Sequence, residues 1–546
     1  MINRQKKYDS FRIELYRFII SARIVLTLSL VTTITDLQAY HPDSLRLPRT
    51  LPVWTVQPLS DSTSRHPLQG WLEVGGLASS SGTTPFWLQA NQFGTIPEAT
   101  PAALVRAGLS RGYRLPVGRK LPKVDWGYGF ELVGQGISRN QLIIPELYLK
   151  ARLGIFEVFG GRRRQVIGLV ESALSSGSFI WSGNALPMPR VQLGIPTYTP
   201  LRFTKNWIAV KGFYAHGWFG NTPYVTGSYL HQKAIFFRLG RDQSRIRLYA
   251  SFNHQAQWGG YAPFLESDPT SSFGGQLASS FEAYANVVLP LKTEALKNRA
   301  KFTTFDQNRV GDHRGSAEAA IEYRGKTWSL LFYQQHFYDL GRKLYNLRNI
   351  EDGLYGIRLE NKRPKAGIQE VIVELFNSGG QGYMQFGRTL GGEPENYFLN
   401  AQYPDGWSYK GRTLGTPFIT QASASNSNLP NIPFSGFTAT NEHITGNYAI
   451  NNNRVWALYT GLRGQVGRRW GYQIKGSFSR NYGTFTTPFP GGTNQYSTLT
   501  SLSRTMRFLQ GSTLLMSVGY DQGKLLASSQ QYGGYVGIRK EWGTRL

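Results

Sequence analysis

Residues 245–253 read RIRLYASFN, and every second side chain from Ile246 to Phe252 is apolar. The same period of two runs through YQIKGSFS at 472–479 and, with one exception, through TLLMSVGYD at 513–521. Because successive side chains on a β-strand point to opposite faces, each segment has one apolar and one polar face. The pattern predicts β-strands, and taken alone it also suits a soluble β-sandwich.

The N-terminus indicates export. Six basic residues precede an apolar run at 24–34, which is shorter than the ~20 residues that a membrane-spanning helix needs. This arrangement is typical of a signal peptide, and Leu37-Gln38-Ala39 is an acceptable cleavage site. We predict a signal peptide at 1–39, a linker or small periplasmic element at 40–69, and an outer-membrane β-barrel at 70–546.

Further segments repeat the alternation along much of the chain. Their apolar positions are Trp126, Tyr128, Phe130 and Leu132; Leu147, Leu149, Ala151 and Leu153; Tyr355, Ile357 and Leu359; Val371, Val373 and Leu375; and Val536, Ile538 and Trp542. Such segments behind an export signal predict an all-β fold, a transmembrane antiparallel β-barrel of about 18 strands (16–20) in the bacterial outer membrane. Glycine-, proline- and asparagine-rich stretches at 181–200, 259–275, 388–400 and 421–443 predict long extracellular loops.

Composition narrows the partners and the chemistry. The chain has 60 Lys and Arg against 33 Asp and Glu, a formal net charge of +27. This surplus favours anionic partners, namely lipopolysaccharide, outer-membrane lipid or acidic polysaccharide, and export argues against nucleic acid. Cysteine is absent, which excludes disulfides and thiolate metal sites. We expect a monomer without metal or cofactor.

Two constellations could suggest an enzyme. Gly108-Leu109-Ser110-Arg111-Gly112 matches G-x-S-x-G, but a nucleophile elbow needs a following helix, and the surroundings resemble a hairpin. Glu351 and Asp352 are adjacent acids, whereas glycoside hydrolysis needs two carboxylates at a set separation. We predict that the chain is not an enzyme.

Clusters of aromatic, amide and guanidinium groups are candidate sugar sites. Aromatic faces stack on sugar C–H groups, while amides and guanidinium groups bond hydroxyls and carboxylates. The alternative is that each Trp or Tyr belongs to a membrane girdle. The candidate polysaccharide-binding residues are Trp181, Asn184, Gln334, Gln335, His336, Tyr338, Trp407, Tyr409 and Arg412.

An ordered series of short motifs resembles the capsule assembly Wzi family in its Bacteroidetes-type form. The matching stretches are Pro85 to Gly94 (PFWLQANQFG), Ser175 to Ser178, Ser182 to Pro187, Tyr333 to His336, Asn349 to Gly356, Glu395 to Phe398, Gly406 to Tyr409, Arg412, and Gly415 to Phe418. The resemblance runs from about residue 70 to the C-terminus, and the order of the motifs is more specific than any one of them.

The resemblance implies a barrel of roughly 18 strands with a lectin-like role, since enterobacterial members hold capsular polysaccharide at the cell surface. Those members also carry a helical plug at the periplasmic end, and no helical bundle is evident in this sequence. The leading prediction is a non-enzymatic barrel that binds capsular or other surface polysaccharide and helps assemble or anchor the capsule. The alternatives are an anion-selective porin and an outer-membrane lipid-modifying enzyme.

Overall fold

The computed structural model describes residues 68–114, 124–137, 140–170, 174–290, 294–298, 300–307, 309–339, 346–363, 367–506 and 512–544. The predicted signal peptide and nearly all of the predicted linker lie outside these residues. The chain divides into two compact units, one of 1–49 with 386–389 and one of 50–385 with 390–546. In the first unit only 386–389 is described, and it contains the short strand Arg388–Thr389.

The described part of the second unit is dominated by one 18-stranded sheet. Each strand pairs antiparallel with its neighbours in the chain, and β1 pairs with β18, which closes the sheet into a barrel. The strands are β1 Leu68–Ser79, β2 Ala102–Arg111, β3 Val124–Gly136, β4 Gln141–Leu153, β5 Phe156–Arg162, β6 Pro189–Pro200, β7 Ile208–Asn221, β8 Thr226–Leu239, β9 Ile246–Trp258, β10 Asp312–Arg324, β11 Trp328–Tyr338, β12 Gly353–Asn361, β13 Ile368–Asn377, β14 Val455–Val466, β15 Trp470–Gly483, β16 Pro488–Thr505, β17 Ser512–Gly523 and β18 Gln530–Thr544. The predicted barrel of about 18 strands is confirmed.

The barrel places its apolar faces outside. On β9, Ile246 and Phe252 are 44% and 41% exposed, whereas Ser251 and Asn253 on the opposite face are buried. A soluble sandwich would bury the apolar face instead, so this distribution is that of a wall whose outer surface meets lipid. Ile372 interrupts the pattern because it faces inward, where it lies beside Leu174 of a segment inside the barrel.

The long connections all lie at one end. In a meander of antiparallel strands, connections after odd-numbered strands lie at one end and those after even-numbered strands lie at the end that holds both barrel termini. The five longest connections, 80–101, 163–188, 259–311, 339–352 and 378–454, all follow odd-numbered strands. Barrels of this type have short periplasmic turns and longer extracellular loops, so this end is extracellular.

The loop predicted at 181–200 is wrong for its second half, which forms β6. Val191 and Leu193 face outward and Arg190 and Gln192 face inward, so the segment does alternate. Three prolines and a glycine hide this alternation, and the pairing of β6 with β7 shifts register between Ile195 and Thr199.

Smaller elements lie in the connections. Within the described residues there are two α-helices, α1 Phe86–Gln89 and α2 Phe281–Val288, and four 3₁₀ turns, Arg202–Thr204, Pro263–Leu265, Glu294–Lys297 and Ala422–Ala424. The other short strands are Met384–Gln385, Ser408–Tyr409, Arg412–Thr413, Thr420–Gln421, Pro433–Phe437, His443–Asn447 and Ile450–Asn452. Across the part of the chain that the structure describes, no helix has the length and apolar character to cross a membrane.

Segments of the extracellular connections fold back into the lumen. The ring of Phe179 stacks on Phe337 of the inner wall, with ring centres 3.6 Å apart. Trp87 donates from Nε1 to Ser477 Oγ of β15 at 3.0 Å. The buried apolar residues of these segments are Trp87, Leu88, Leu174, Phe179, Ile180, Trp181, Tyr397, Phe398, Trp407, Phe418 and Ile419. The described residues contain no helical bundle, so the filling of the lumen that they show comes from loops.

Candidate functional site

An open cleft lies at the extracellular end, between four connections. Its walls come from 83–98, 184, 411–424 and 526–531, and they surround about 790 Å³ of space, open solvent included. Every one of these segments follows, or ends beside, an odd-numbered strand, so the cleft faces the cell exterior. The lining residues are Thr83, Thr84, Phe86, Gln89, Ala90, Glu98, Asn184, Gly411, Arg412, Thr413, Pro417, Ile419, Thr420, Gln421, Ser423, Ala424, Leu526, Ala527 and Gln531.

Two of the predicted residues, Asn184 and Arg412, belong to this cleft. Arg412 donates from Nη2 to the carbonyl of Ile96 at 2.8 Å and from Nη1 to the carbonyl of Gln89 at 3.2 Å. Its Nε lies 3.7 Å from a carboxylate oxygen of Glu98. Desolvation by burial lowers the pKa of Arg412, and the charge of Glu98 partly opposes this. The guanidinium therefore ties the 411–424 wall to the 83–98 wall.

Asn184 makes a second tie across the cleft. Its Nδ2 donates to Thr413 Oγ1 at 3.0 Å, and its Oδ1 accepts from the backbone N–H of Asn91 at 3.2 Å. The amide thus joins three connections at one point. Hydroxyl, amide and guanidinium groups then surround the apolar side chains of Phe86 and Pro417. This combination suits a sugar, which offers hydroxyls at its edges and C–H groups on its faces.

Trp181, Trp407 and Tyr409 lie in or beside the lumen core. The rings of Trp181 and Trp407 meet edge to face at 6.2 Å, and both are buried. Trp407 donates from Nε1 to the carbonyl of Ile180 at 2.8 Å. Tyr409 is also buried, and its hydroxyl accepts from Arg162 Nη2 at 3.3 Å. In this conformation these side chains hold the inserted segments together.

The predicted cluster on β11 divides between two faces of the wall, as neighbours on a strand must. Gln335 points into the lumen, where its Oε1 accepts from the Phe179 backbone N–H at 3.0 Å. Gln334, His336 and Tyr338 occupy the opposite, outer face, and Tyr338 stacks on the outward ring of Phe252 at 5.7 Å. The structure does not bring these four residues together, and a sugar-binding role for them stays a prediction.

The sequence analysis did not select several residues that line the cleft. Phe86 and Gln89 lie in one of the motifs on which the family resemblance rests, but nothing marked them as binding residues. Gln421 begins a predicted loop, and Gln531 is the second residue of the last strand. No local pattern distinguishes such glutamines, because only the meeting of distant connections gives them a shared surface.

The enzyme-like constellations have structural roles. Ser110 lies within β2, paired with Gln69 and Gly129, and faces the lumen, whereas His216 faces outward on β7. The carboxylate of Asp352 accepts from the backbone N–H groups of Gly380 and Gln381 at 2.9 and 2.6 Å. Burial raises the pKa of Asp352 to about 7, although these hydrogen bonds oppose the rise. Asp352 thereby joins two connections.

A metal-binding site would be another candidate functional site. Among the described residues, no group of three or more His, Asp or Glu side chains is arranged to hold a metal ion.

Solved structures with a similar fold are outer-membrane barrels. One is Wzi, an outer membrane protein involved in group 1 capsule assembly in Escherichia coli and a carbohydrate-binding β-barrel; it shares 14% identity at TM-score 0.48, over 88% of this chain and 85% of that one. Another is OmpT, an outer membrane protein of Vibrio cholerae, at 7% identity and TM-score 0.34 over 87% and 96% of the two chains. A third is the outer membrane channel DcaP of Acinetobacter baumannii, at 7% identity and TM-score 0.36 over 87% and 96%.

No protein-family model matches the chain, and no curated protein matches its sequence. At these identities, what the solved structures have in common with this chain is the fold of an outer-membrane β-barrel.

Proposed function

We propose that this chain is a non-enzymatic outer-membrane barrel that binds capsular or other surface polysaccharide in its extracellular cleft and holds it at the cell surface. The observation that carries the proposal is the cleft itself, where Asn184 and Arg412 meet amides and hydroxyls from distant connections around the apolar Phe86 and Pro417. Export would proceed through a cleaved signal peptide at 1–39.

The filled lumen favours retention of a polymer over its passage. Phe179, Phe337 and Phe376 form part of a continuous apolar cluster beneath the cleft, and all three are buried. A polymer bound above this cluster would stay outside the barrel. Many weak contacts along one chain raise the effective local concentration of sugar, so a cell covered with such clefts would hold polymer firmly although each cleft binds weakly.

Binding to an acidic polymer suits the charge of the chain. Lys410 is exposed next to the cleft residues Gly411 and Arg412. Cations at the mouth of the cleft would attract sugar carboxylates, and this attraction would weaken as salt screens it.

The direct test is binding of purified protein in detergent to immobilised capsular polysaccharide from the same cell. Ser423→Trp places a bulky side chain in the cleft, and Gln243→Trp places one in the β8–β9 turn at the opposite end as a matched control. We expect at least a tenfold loss of affinity for Ser423→Trp and none for Gln243→Trp. Equal binding by both variants, or no binding by the unmodified protein, would reject the cleft as the site.

The porin alternative has a specific observation in its favour. A second space of about 1190 Å³ lies near the periplasmic end and is lined by Arg163, Arg164 and Lys211, among others. Planar-bilayer recording separates the two functions. We expect no sustained conductance, because the apolar cluster around Phe179 and Phe337 lies between this space and the cleft; a steady anion-selective current would favour the porin.

A further inference from the structure

The outer face of β7–β10 departs from the apolar pattern near its extracellular end. Paired residues of adjacent strands form rows across this face. The row nearest the extracellular rim is His216, His231, Ala256 and His313. The next row toward the periplasm is Tyr214, Lys233, His254 and Gly315, and the third is Gly212, Ile235, Phe252 and Ala317. Two rows therefore place imidazole and ammonium groups where a barrel wall normally presents apolar side chains to lipid.

These polar rows are covered. His231, His254 and His313 are 0%, 3% and 1% exposed, whereas Ile235 and Phe252 in the third row are 44% and 41% exposed. The covering segment is the described part of 277–310, which we name the strap. It contains α2 and the 3₁₀ turn Glu294–Lys297.

The strap packs on the wall through an apolar cluster of its own. The wall contributes Ala256 and Trp258, and the strap contributes Ala283, Val287, Leu296, Phe302 and Val310. This cluster is separate from the lumen core. The strap is thus an external element, held on the outside of the barrel by a cluster distinct from the lumen core.

Several polar contacts fasten the strap, among them the one that Arg309 Nη1 donates to the carbonyl of Asp339 at 2.6 Å. The hydroxyls of Tyr284 and Tyr214 lie 2.7 Å apart, and Lys233 Nζ donates to the carbonyl of Val288 at the C-terminal end of α2. A cation at a helix C-terminus also interacts favourably with the helix dipole. A further contact involves a histidine pair: the carbonyl of Val310 accepts from His313 Nε2, three residues along the chain, at 2.7 Å.

The hydrogen bonds suit a pair of neutral histidines. A carbonyl can only accept, so His313 Nε2 carries a proton. His313 Nδ1 lies 2.8 Å from His254 Nε2, and in the neutral pair it accepts from that nitrogen, which leaves His254 Nδ1 without a proton. That nitrogen is buried and has no hydrogen-bond partner, and the same is true of both ring nitrogens of His231. An added proton would therefore have to remain buried or force the tautomers to rearrange.

The groups that surround the pair do not compensate an added positive charge. The charged and titratable groups facing it are Lys233, His231 and His216 from the wall, Arg309 and Tyr284 from the strap, and Tyr338 from β11. Lys233 and Arg309 are the permanent charges that act on the pair, and both are cationic. The carboxylates of Asp339 and Glu395 act on Arg309 instead.

We propose that the strap is an acid-released cover: protonation of the His254–His313 pair detaches 277–310 from the outer wall. Release would hydrate the imidazoles and expose a cationic face at the height of the outer-leaflet headgroups. Each proton that the open form binds and the closed form excludes raises the ratio of open to closed strap about tenfold for every pH unit below about 6.5. One histidine therefore gives roughly 30-fold between pH 8 and pH 5.

Pulsed electron–electron double resonance, which measures the distance between two spin labels, tests this proposal. The chain has no native cysteine, so Ala285→Cys on the strap and Ala319→Cys on the outer face of β10 provide the only labelling sites. Both positions are exposed, which allows labelling of the folded protein in lipid nanodiscs. We expect one short distance at pH 8 and a second, longer distance that grows to the major population by pH 5.

Variants assign the effect to the histidines. The double substitution His254→Gln and His313→Gln should keep the short distance at every pH, while His443→Gln, at an exposed histidine elsewhere, should behave like the unmodified chain. If the double variant does not fold, His313→Gln alone should lower the fraction of molecules with the longer distance at pH 5 at least fivefold. A distance that stays unchanged down to pH 4.5, or equal opening in the histidine variants, would overturn the proposal.

Discussion

Glu374 on β13 joins the barrel wall to a segment that fills the lumen. Its Oε1 accepts a hydrogen bond from Ser175 Oγ at 2.6 Å and one from the hydroxyl of Tyr333. Its Oε2 accepts from the Ser176 backbone N–H at 2.7 Å. Glu374→Gln keeps the shape of the side chain but turns one acceptor oxygen into an amide donor. We therefore expect the segment 174–180 to separate from the wall more often.

The size of the effect follows from the number of bonds. A hydrogen bond to a charged group contributes about 1.5–3 kcal/mol, and a buried donor left without an acceptor costs a further ~1–3 kcal/mol. Glutamine retains one neutral acceptor, so a loss of about 3 kcal/mol for local opening is a conservative figure. Since 1.4 kcal/mol corresponds to a factor of ten, opening should become roughly 100-fold more frequent.

Hydrogen exchange with mass spectrometry, at fixed pH and in detergent, measures this opening for peptides that cover 174–180. The matched control is Glu322→Gln, because the hydroxyl of Tyr249, which donates to Glu322 at 2.7 Å, belongs to the wall. Exchange at 174–180 should change less than threefold in the control. If Glu374→Gln also changes it less than threefold while the barrel stays folded, packing such as Phe179 on Phe337 holds the segment and the reasoning is wrong.

Three further predictions follow from burial and charge. Burial raises the pKa of Asp352 to about 7, so its contribution to stability is full below about pH 4 and is lost as the pH rises through 7; Asp352→Asn should abolish this dependence in melting curves from pH 4 to 8. Leu149→Arg, on the lipid-facing side of β4, should destabilise the barrel by about 2–4 kcal/mol in urea titrations in vesicles, whereas a change below 1 kcal/mol would place this position away from the bilayer centre. Trp407→Ala should cost about 3–5 kcal/mol through the cavity it leaves, seen as a lower melting temperature; an unchanged melting temperature with lost sugar binding would instead make Trp407 a binding residue.

Much of the barrel could be predicted from local sequence. Alternation at 245–253 and 472–479 identifies the two faces of each strand, and the structure turns the apolar face outward rather than into a sandwich core. The alternation did not identify strands that contain prolines or a bulge, and β6 is the example. Its register shift between Ile195 and Thr199 interrupts the period on which strand prediction depends.

The candidate site could be predicted only in part. The search for aromatic, amide and guanidinium groups selected Trp407 and Gln335 as readily as Asn184 and Arg412. Trp407 and Gln335 are 0% exposed in the lumen, whereas Asn184, which is also buried, and Arg412 line the cleft. A sugar site and a hydrogen-bonded lumen core use the same kinds of side chain, so composition does not separate them.

The sequence by itself determined the wall, because the face of a strand on which a residue lies depends only on its position in a local period of two. What covers each face was decided by the tertiary structure. Ser175 meets Glu374, and His313 meets the carbonyl of Val310, because connections of different lengths fold inward or outward to places that no local pattern encodes. The cleft and the strap both arise from these long-range contacts.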